Sequence, residues 1–284
     1  VIICPYHSWT YGLDGRCLGI PYWQRDNGKS FRPAAENDYG LIAVRARVWL
    51  DIVFVDLSGH ALPLETLIAP LEQRWRVLAI PPLSIGTSWE AEEPINWKLA
   101  IENFMDAYHL SFVHPQAGDI KSAADHEIIG LSQDIFGIRY LDGAVRRSWS
   151  EPLPVIPALA DALGQNTEGF YIFPNTLLIA QPSFVSLRIV LPKSATLTYQ
   201  REVTYLTAEA KVDRFAAQRE QFAKFNKLVN DQDLPIVRRL QSTRASPQNV
   251  AVDRGRFVPD WDVRSNMFQI RIVEALLDAI PEEQ

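Results

Sequence analysis

The chain is poor in sulfur, with 2 cysteines and 2 methionines in 284 residues. So few cysteines exclude a disulfide scaffold and point to a reducing compartment, so a cytoplasmic setting is expected. No apolar run approaches the roughly 18 residues that a membrane helix needs, which argues against a membrane protein. The formal charge is −6 and no basic stripe interrupts it. The nearest clusters, Arg146-Arg147 and Arg238-Arg239, are too short to track a phosphate backbone, so nucleic acid is not an expected partner. A glycine-rich dinucleotide fingerprint is also missing. Internal repeats and low-complexity tracts do not occur. The opening Val1-Ile2-Ile3-Cys4 reads as a strand in progress, so the natural N-terminus is expected to lie upstream, and the lack of a signal peptide is uninformative.

What remains is a chain that is 47% hydrophobic, enough for one large core or a large and a small one. Residues 1–60 are rich in strand formers. Tyr11 to Arg16 carries an Asp-Gly turn between two short apolar runs, predicting a hairpin, and Val44 to Leu57 predicts further strand. From residue 61 the pattern mixes helix and strand. Trp97, Ile101, Phe104 and Tyr108 predict a helix over Asn96 to His114, and Asn166 to Tyr205 predicts strands separated by turns. Asp213 to Gln241 predicts a long helix with Phe215, Phe222, Phe225, Val229, Val237 and Leu240 on its apolar side. Strands followed by long helices predict an α+β fold with a helix laid on an antiparallel sheet.

Two constellations carry chemistry. The first is Cys4-Pro5-Tyr6-His7, a Cys-x-x-His pair that suits zinc, an iron–sulfur cluster, or nothing at all. The second is Glu102 to Pro115, which holds Asp106, His109 and His114. One carboxylate from elsewhere would complete two histidines and one carboxylate, a set that leaves open coordination positions and serves non-haem Fe(II) enzymes. Asp106 and His109 share a face of an ideal helix. His109 and His114 lie about 140° apart on such a helix, so they converge only if it ends between them or contains a π-type turn. Pro115 favours an ending.

These stretches resemble a known family. Cys4-Pro5-Tyr6-His7 followed by Trp9, Tyr11 and the Asp14-Gly15 turn resembles the Rieske domain of ring-hydroxylating oxygenases. Asn96-Trp97-Lys98, Glu102 to His109 and His114-Pro115 resemble the mononuclear iron motif of their α subunits. The resemblance implies a partial Rieske β domain over residues 1–60 and a catalytic domain of the helix-grip type over residues 61–284, its antiparallel sheet wrapped on a long C-terminal helix. It implies His109 and His114 as ligands of Fe(II), Asp106 as the acidic bridge to the cluster of a neighbouring subunit, and Asn103 beside the iron. Cys4 and His7 would be half of the ligand set of a [2Fe–2S] cluster, whose other half is not in this chain.

The third iron ligand is expected from the late helix. Asp233 shares an apolar stripe with Val229, Val237 and Leu240, and a carboxylate there needs a partner such as a metal. Asp231 aligns with Lys227 and Arg238 and remains the alternative. The family pattern, an acidic pair eight residues before a glutamine (here Gln241), favours Asp233.

The implied function is the oxygenase component of a Rieske system. It would use O2 and electrons from NAD(P)H, delivered by a separate reductase or ferredoxin, to mono- or dioxygenate a small organic substrate, expected to be aromatic. A homotrimer is implied, with or without a β subunit. Met105 stands where naphthalene-type dioxygenases usually carry Gly, which points toward the monooxygenase and demethylase branches. An N- or O-demethylase is the alternative within the family, and a helix-grip carrier of hydrophobic ligands is the non-catalytic rival. His60 reads as a loop tip, His126 as part of a mobile surface segment, and the acidic run Glu90 to Glu93 as a solvated loop. Among Phe170, Tyr171, Phe173 and Phe184, most are expected in the core and one or two in a pocket.

Overall fold

The computed structural model describes residues 1–24, 30–31, 39–77, 80–118, 120–141, 153–246 and 256–278. Arg146-Arg147 lie outside them. The chain divides into two compact units, Val1–Thr66 and Leu67–Gln284.

The N-terminal unit is built of short strands. β1 (Ile2–Ile3), β2 (Thr10–Tyr11), β3 (Cys17–Gln24) and β4 (Ser30–Phe31) form one sheet in that order. β2 and β3 are the two arms of the predicted hairpin, with Gly15 at φ 84° in the turn, a conformation glycine adopts without steric cost. β5 (Arg45–Trp49) and β6 (Ile52–Asp56) form a second hairpin. Its two-residue connection, Leu50-Asp51, has positive φ at both positions, the backbone that matches the twist of a tight hairpin. α1 (Leu64–Trp75) begins at the boundary between the units.

In the larger unit, β7 (Ser84–Glu93), β8 (His126–Gly130), β9 (Ile135–Tyr140), β10 (Thr167–Ile172), β11 (Thr176–Gln181), β12 (Phe184–Ser194) and β13 (Leu197–Leu206) form one antiparallel sheet. The order is β7-β13-β12-β11-β10-β9-β8, so β8 to β13 meander and β7 closes beside β13. The Glu90 to Glu93 run is therefore strand rather than loop. Glu93 is buried and pairs with Arg238 at 3.0 Å.

Helices α2 (Trp97–Met105), α5 (Ala216–Arg244) and α6 (Val263–Asp278) cover the sheet; α3 (Leu110–Val113) and α4 (Pro157–Leu163) are short. Ile101 and Met105 of α2, Val237 of α5 and Phe268 of α6 share one core with Phe136, Tyr171, Leu177 and Val190 of the sheet. Phe170 and Tyr171 are fully buried, as expected for most of that aromatic group. Leu240, by contrast, is exposed, so the apolar stripe of α5 ends at Val237. α5 spans about 43 Å at 1.5 Å per residue, long enough to cross the whole sheet. Its pairing to α2 is fixed at one end by the Gln241 side chain, whose Oε1 accepts from the Asn96 backbone N–H at 2.8 Å. Asn96 itself caps α2, accepting from the Lys98 N–H. α1, α4 and α6 are helices that hydrophobic periodicity did not single out.

Glu168 is fully buried in β10 and is held by Arg74, Arg139 and the indole N–H of Trp75, with bonds of 2.6–3.1 Å. Such a network pins α1 to the sheet because removing one partner leaves an uncompensated buried charge.

Candidate metal centre

The predicted helix over Asn96 to His114 breaks, though earlier than expected. α2 ends at Met105 and Asp106 is extended (φ −73°, ψ 120°). The chain then re-enters a single helical turn, with His109 and His114 as its two flanking residues. One break therefore precedes His109, and the short second helix ends between the two histidines, as Pro115 suggested. The five-residue spacing is accommodated because His114, immediately before Pro115, leaves the helical region (φ −124°, ψ 56°). The two imidazole rings lie 5.2 Å apart at 78°.

Asp233 arrives from α5. His114 Nε2 is 2.8 Å from Asp233 Oδ1, and His109 Nε2 is 3.6 Å from the same oxygen. All three ligand atoms lie within 4.8 Å of one another, and this is the one such group among the described residues. Bonds of about 2.1 Å at right angles would place ligand atoms about 3 Å apart, which the His114–Asp233 separation of 2.8 Å meets and the His109–Asp233 separation of 3.6 Å exceeds. His114 is fully buried, and His114 Nε2 and Asp233 Oδ1 make no hydrogen bond despite their closeness. Two buried lone-pair atoms facing one point fit a shared cation, since unpaired polar atoms are otherwise costly. Asp231 is half exposed and pairs with Lys227 at 2.5 Å, facing away from this duty. Arg238, its other expected neighbour, goes to Glu93.

The far nitrogens of both histidines are also held. His109 Nδ1 lies 3.1 Å from Asp106 Oδ2, and the other Asp106 oxygen accepts from the Tyr108 N–H at 2.6 Å. His114 Nδ1 lies 2.9 Å from Gln232 Oε1, which also accepts from Gln116 Nε2 at 2.5 Å. An acceptor behind each Nδ1 fixes the proton there and leaves Nε2 as the donor atom to a metal. Gln232 and Gln116 escaped the sequence reading; only their adjacency to Asp233 and His114 hinted at them. Burial pushes the Asp106 carboxyl up, but His109 and the Tyr108 N–H outweigh it and hold it below the ordinary carboxylate range. Burial pushes His114 down, but Asp233 and Gln232 outweigh it and hold the imidazole above its ordinary value.

The cluster opens on a cavity of ≈ 210 Å³ between α5 and the sheet. One wall is a row of directly paired residues, Ile138, Gly169, Ile179 and Ser186, running across β9 to β12. Facing it are Phe222, Phe225 and Val229 of α5. Asn103 and Phe184 line it too, whereas Phe170, Tyr171 and Phe173 do not. Arg188 and Glu202 enter as a neutralised pair at 2.7 Å.

The remaining histidines divide. His60 is exposed, as expected. His126 is not a surface residue: it is buried, packs on Trp261 with ring centres 5.0 Å apart, and its Nε2 bonds the Asp260 carbonyl. In the N-terminal unit, Cys4 is half-buried and His7 exposed, on a turn closed by the Ser8 N–H to the Cys4 carbonyl and the Cys4 N–H to the Trp9 carbonyl. Cys17 is buried and takes no part in that turn.

A profile of the family described as ring hydroxylating alpha subunit (catalytic domain) matches residues 83–277, which includes every residue of the cluster. The chain belongs to this family. The carnitine monooxygenase oxygenase subunit of Acinetobacter pittii is 22% identical over 251 residues, covering 85% of this chain and 62% of the relative. The chain thus spans about three fifths of the length of that relative. Among solved structures, a quaternary ammonium Rieske monooxygenase superposes with a TM-score of 0.63 at 20% identity, covering 97% of this chain and 71% of that one. Naphthalene 1,2-dioxygenase from Rhodococcus sp. gives 0.66 at 17%, covering 98% and 76%. At those identities the structures establish the fold: a large antiparallel sheet with a long C-terminal helix, as in ring-hydroxylating α subunits. No helix among the described residues is long and apolar enough to cross a membrane.

Proposed function

We propose that the chain is the catalytic portion of a Rieske-type oxygenase component, with His109, His114 and Asp233 holding a single Fe(II). One observation carries this reading: two ligand atoms flanking one short turn and a third from α5 converge at the edge of an apolar cavity, with Asp106 and Gln232 behind the histidines. A ferrous ion there supplies the centre at which dioxygen is activated beside a bound substrate. The protein's own part is arrangement. Asp106 and Gln232 keep a proton on each Nδ1, Asn103 lines the same cavity, and the aromatic wall excludes water from the reacting site.

Residues 1–60 are proposed as part of a Rieske domain, with Cys4 and His7 as one Cys/His pair of a [2Fe–2S] ligand set. The second pair is not in this sequence. Electrons would come from a separate reductase or ferredoxin, and the assembly would be a homotrimer with or without a β subunit.

The substrate is a small organic compound whose body sits against Phe184, Phe222 and Phe225. The expectation of an aromatic compound widens here. A relative covering most of this chain acts on carnitine, a quaternary ammonium compound, and phenyl faces accept such cations as readily as aromatic rings.

The test uses the full-length protein, loaded anaerobically with Fe(II) and supplied with a chemical reductant. It should bind about one mononuclear iron per chain and consume O2 with a substrate of this class. Loss of both in His114→Ala is the expected result. A fully loaded protein that never consumes O2 with any aromatic or quaternary ammonium compound would leave only the ligand-carrier reading.

A further inference from the structure

Arg264 lies in the first turn of α6 and lines the cavity, yet only 1% of it is exposed. Its Nε and Nη2 are buried and bond to nothing. These two nitrogens form one edge of the guanidinium, the fork that matches the two oxygens of a carboxylate. Elsewhere the chain uses this edge for that purpose. Arg74 donates from Nε and Nη2 to the two oxygens of Glu168, and Arg188 places Nε and Nη2 on Glu202. In Arg264 the same edge meets no carboxylate among the described residues.

Among the described residues, no acid beside it is free to fill it. Glu202 is committed to Arg188. Both oxygens of Asp106 are engaged by His109 and the Tyr108 N–H; Asp106 acts on Arg264 through its field without a hydrogen bond to it. Tyr140, another cavity residue, is the polar group that interacts most with Arg264, but a phenol does not neutralise a cation. Burial pushes the guanidinium below its ordinary value, though an arginine stays charged in proteins. A buried charge without a counter-charge is expensive, and a ligand carboxylate would relieve the cost only when bound.

We infer that Arg264 is the anchor for a carboxylate on the substrate, which makes the substrate class an organic acid with an apolar or aromatic body. The inference rests on the reading of this cavity as the substrate site of an oxygenase, but its test does not require turnover. Iron-free full-length protein is titrated calorimetrically with benzoate and with benzamide, equal in shape and different in charge. Benzoate should bind roughly tenfold to a hundredfold tighter, the range for a charge-assisted pair of bonds. Arg264→Gln should erase that preference, and Arg264→Lys should keep part of it, since the charge survives and the fork does not.

Because Arg264→Gln could unfold the site, the comparison of the two ligands on the unaltered protein stands by itself. Equal binding of benzoate and benzamide, or an unchanged preference in a folded Arg264→Gln protein, overturns the inference. Either result leaves the iron reading intact, because iron content is measured separately. A protein that prefers benzoate yet binds no iron would instead retain the anion site and remove the oxygenase.

Discussion

The chain holds two sets of metal-binding residue types, and they sit in opposite circumstances. Cys4 and His7 are neighbours in sequence, share one turn, and are half-buried and exposed respectively. His109, His114 and Asp233 are spread over 125 positions of sequence (233 − 109 + 1), yet their ligand atoms lie within 4.8 Å. The difference lies in support. Each histidine of the second set has an acceptor behind its Nδ1 and one of them is fully buried, while Cys4 and His7 stand on a turn closed by two backbone hydrogen bonds. Closeness in sequence supplies candidate ligands; an oriented and desolvated surround makes them a site.

The comparison can be broken most forcefully at Asp233. Asp233→Ala should reduce mononuclear iron from about one per chain to a tenth or less, whereas Cys4→Ala should leave that iron unchanged. Metal analysis of the two variants decides it, and equal loss from both would erase the distinction. The supporting residues come next. Gln232→Leu removes the acceptor behind His114 and should weaken iron binding roughly 10- to 100-fold, read by competition with a chelator. Asp106→Asn should retain iron but reduce O2 consumption by roughly 10- to 100-fold, since the neutral amide accepts less strongly from His109. Iron loss in Asp106→Asn would recast Asp106 as a ligand.

The smallest effect sharpens the N-terminal side. Asp56 is held by Ser58, Arg45 and the Gly59 N–H, and its pKa is lowered to about 2. A depressed carboxylate contributes stability that is present above its unfolded value near 4 and is lost as pH falls through about 2. A carbon-detected NMR titration should find Asp56 titrating near 2 and moving upward in Arg45→Ala, with no change at His109 or His114. A normal Asp56 would show that this loop lacks the order assigned to it.

Much of this was legible beforehand, for identifiable reasons. The strands of Asn166 to Tyr205 and the long helix declared themselves by period and turn residues, and Asp233 by standing on an apolar stripe. The same reasoning would have found Arg264, which precedes the buried Phe268 by one helical turn, had α6 itself been recognised. The additional helix break at Asp106 was missed because periodicity continues through it: Phe104 and Tyr108 keep helical spacing while the backbone turns extended. Glu93 and His126 looked like surface because their partners, Arg238 and the Asp260 carbonyl, lie well over a hundred residues away. The cavity wall could not be read at all, since it depends on which residues of β9 to β12 pair directly.

The central claim is that His109, His114 and Asp233 share one metal ion. Anomalous diffraction at the iron edge, from crystals of the anaerobically loaded full-length protein, tests it directly. The account predicts a peak about 2.1 Å from both Nε2 atoms and from an Asp233 carboxylate oxygen. A peak bonded to Asp106 or Asp231 in place of Asp233, or none between the two histidines, would contradict it.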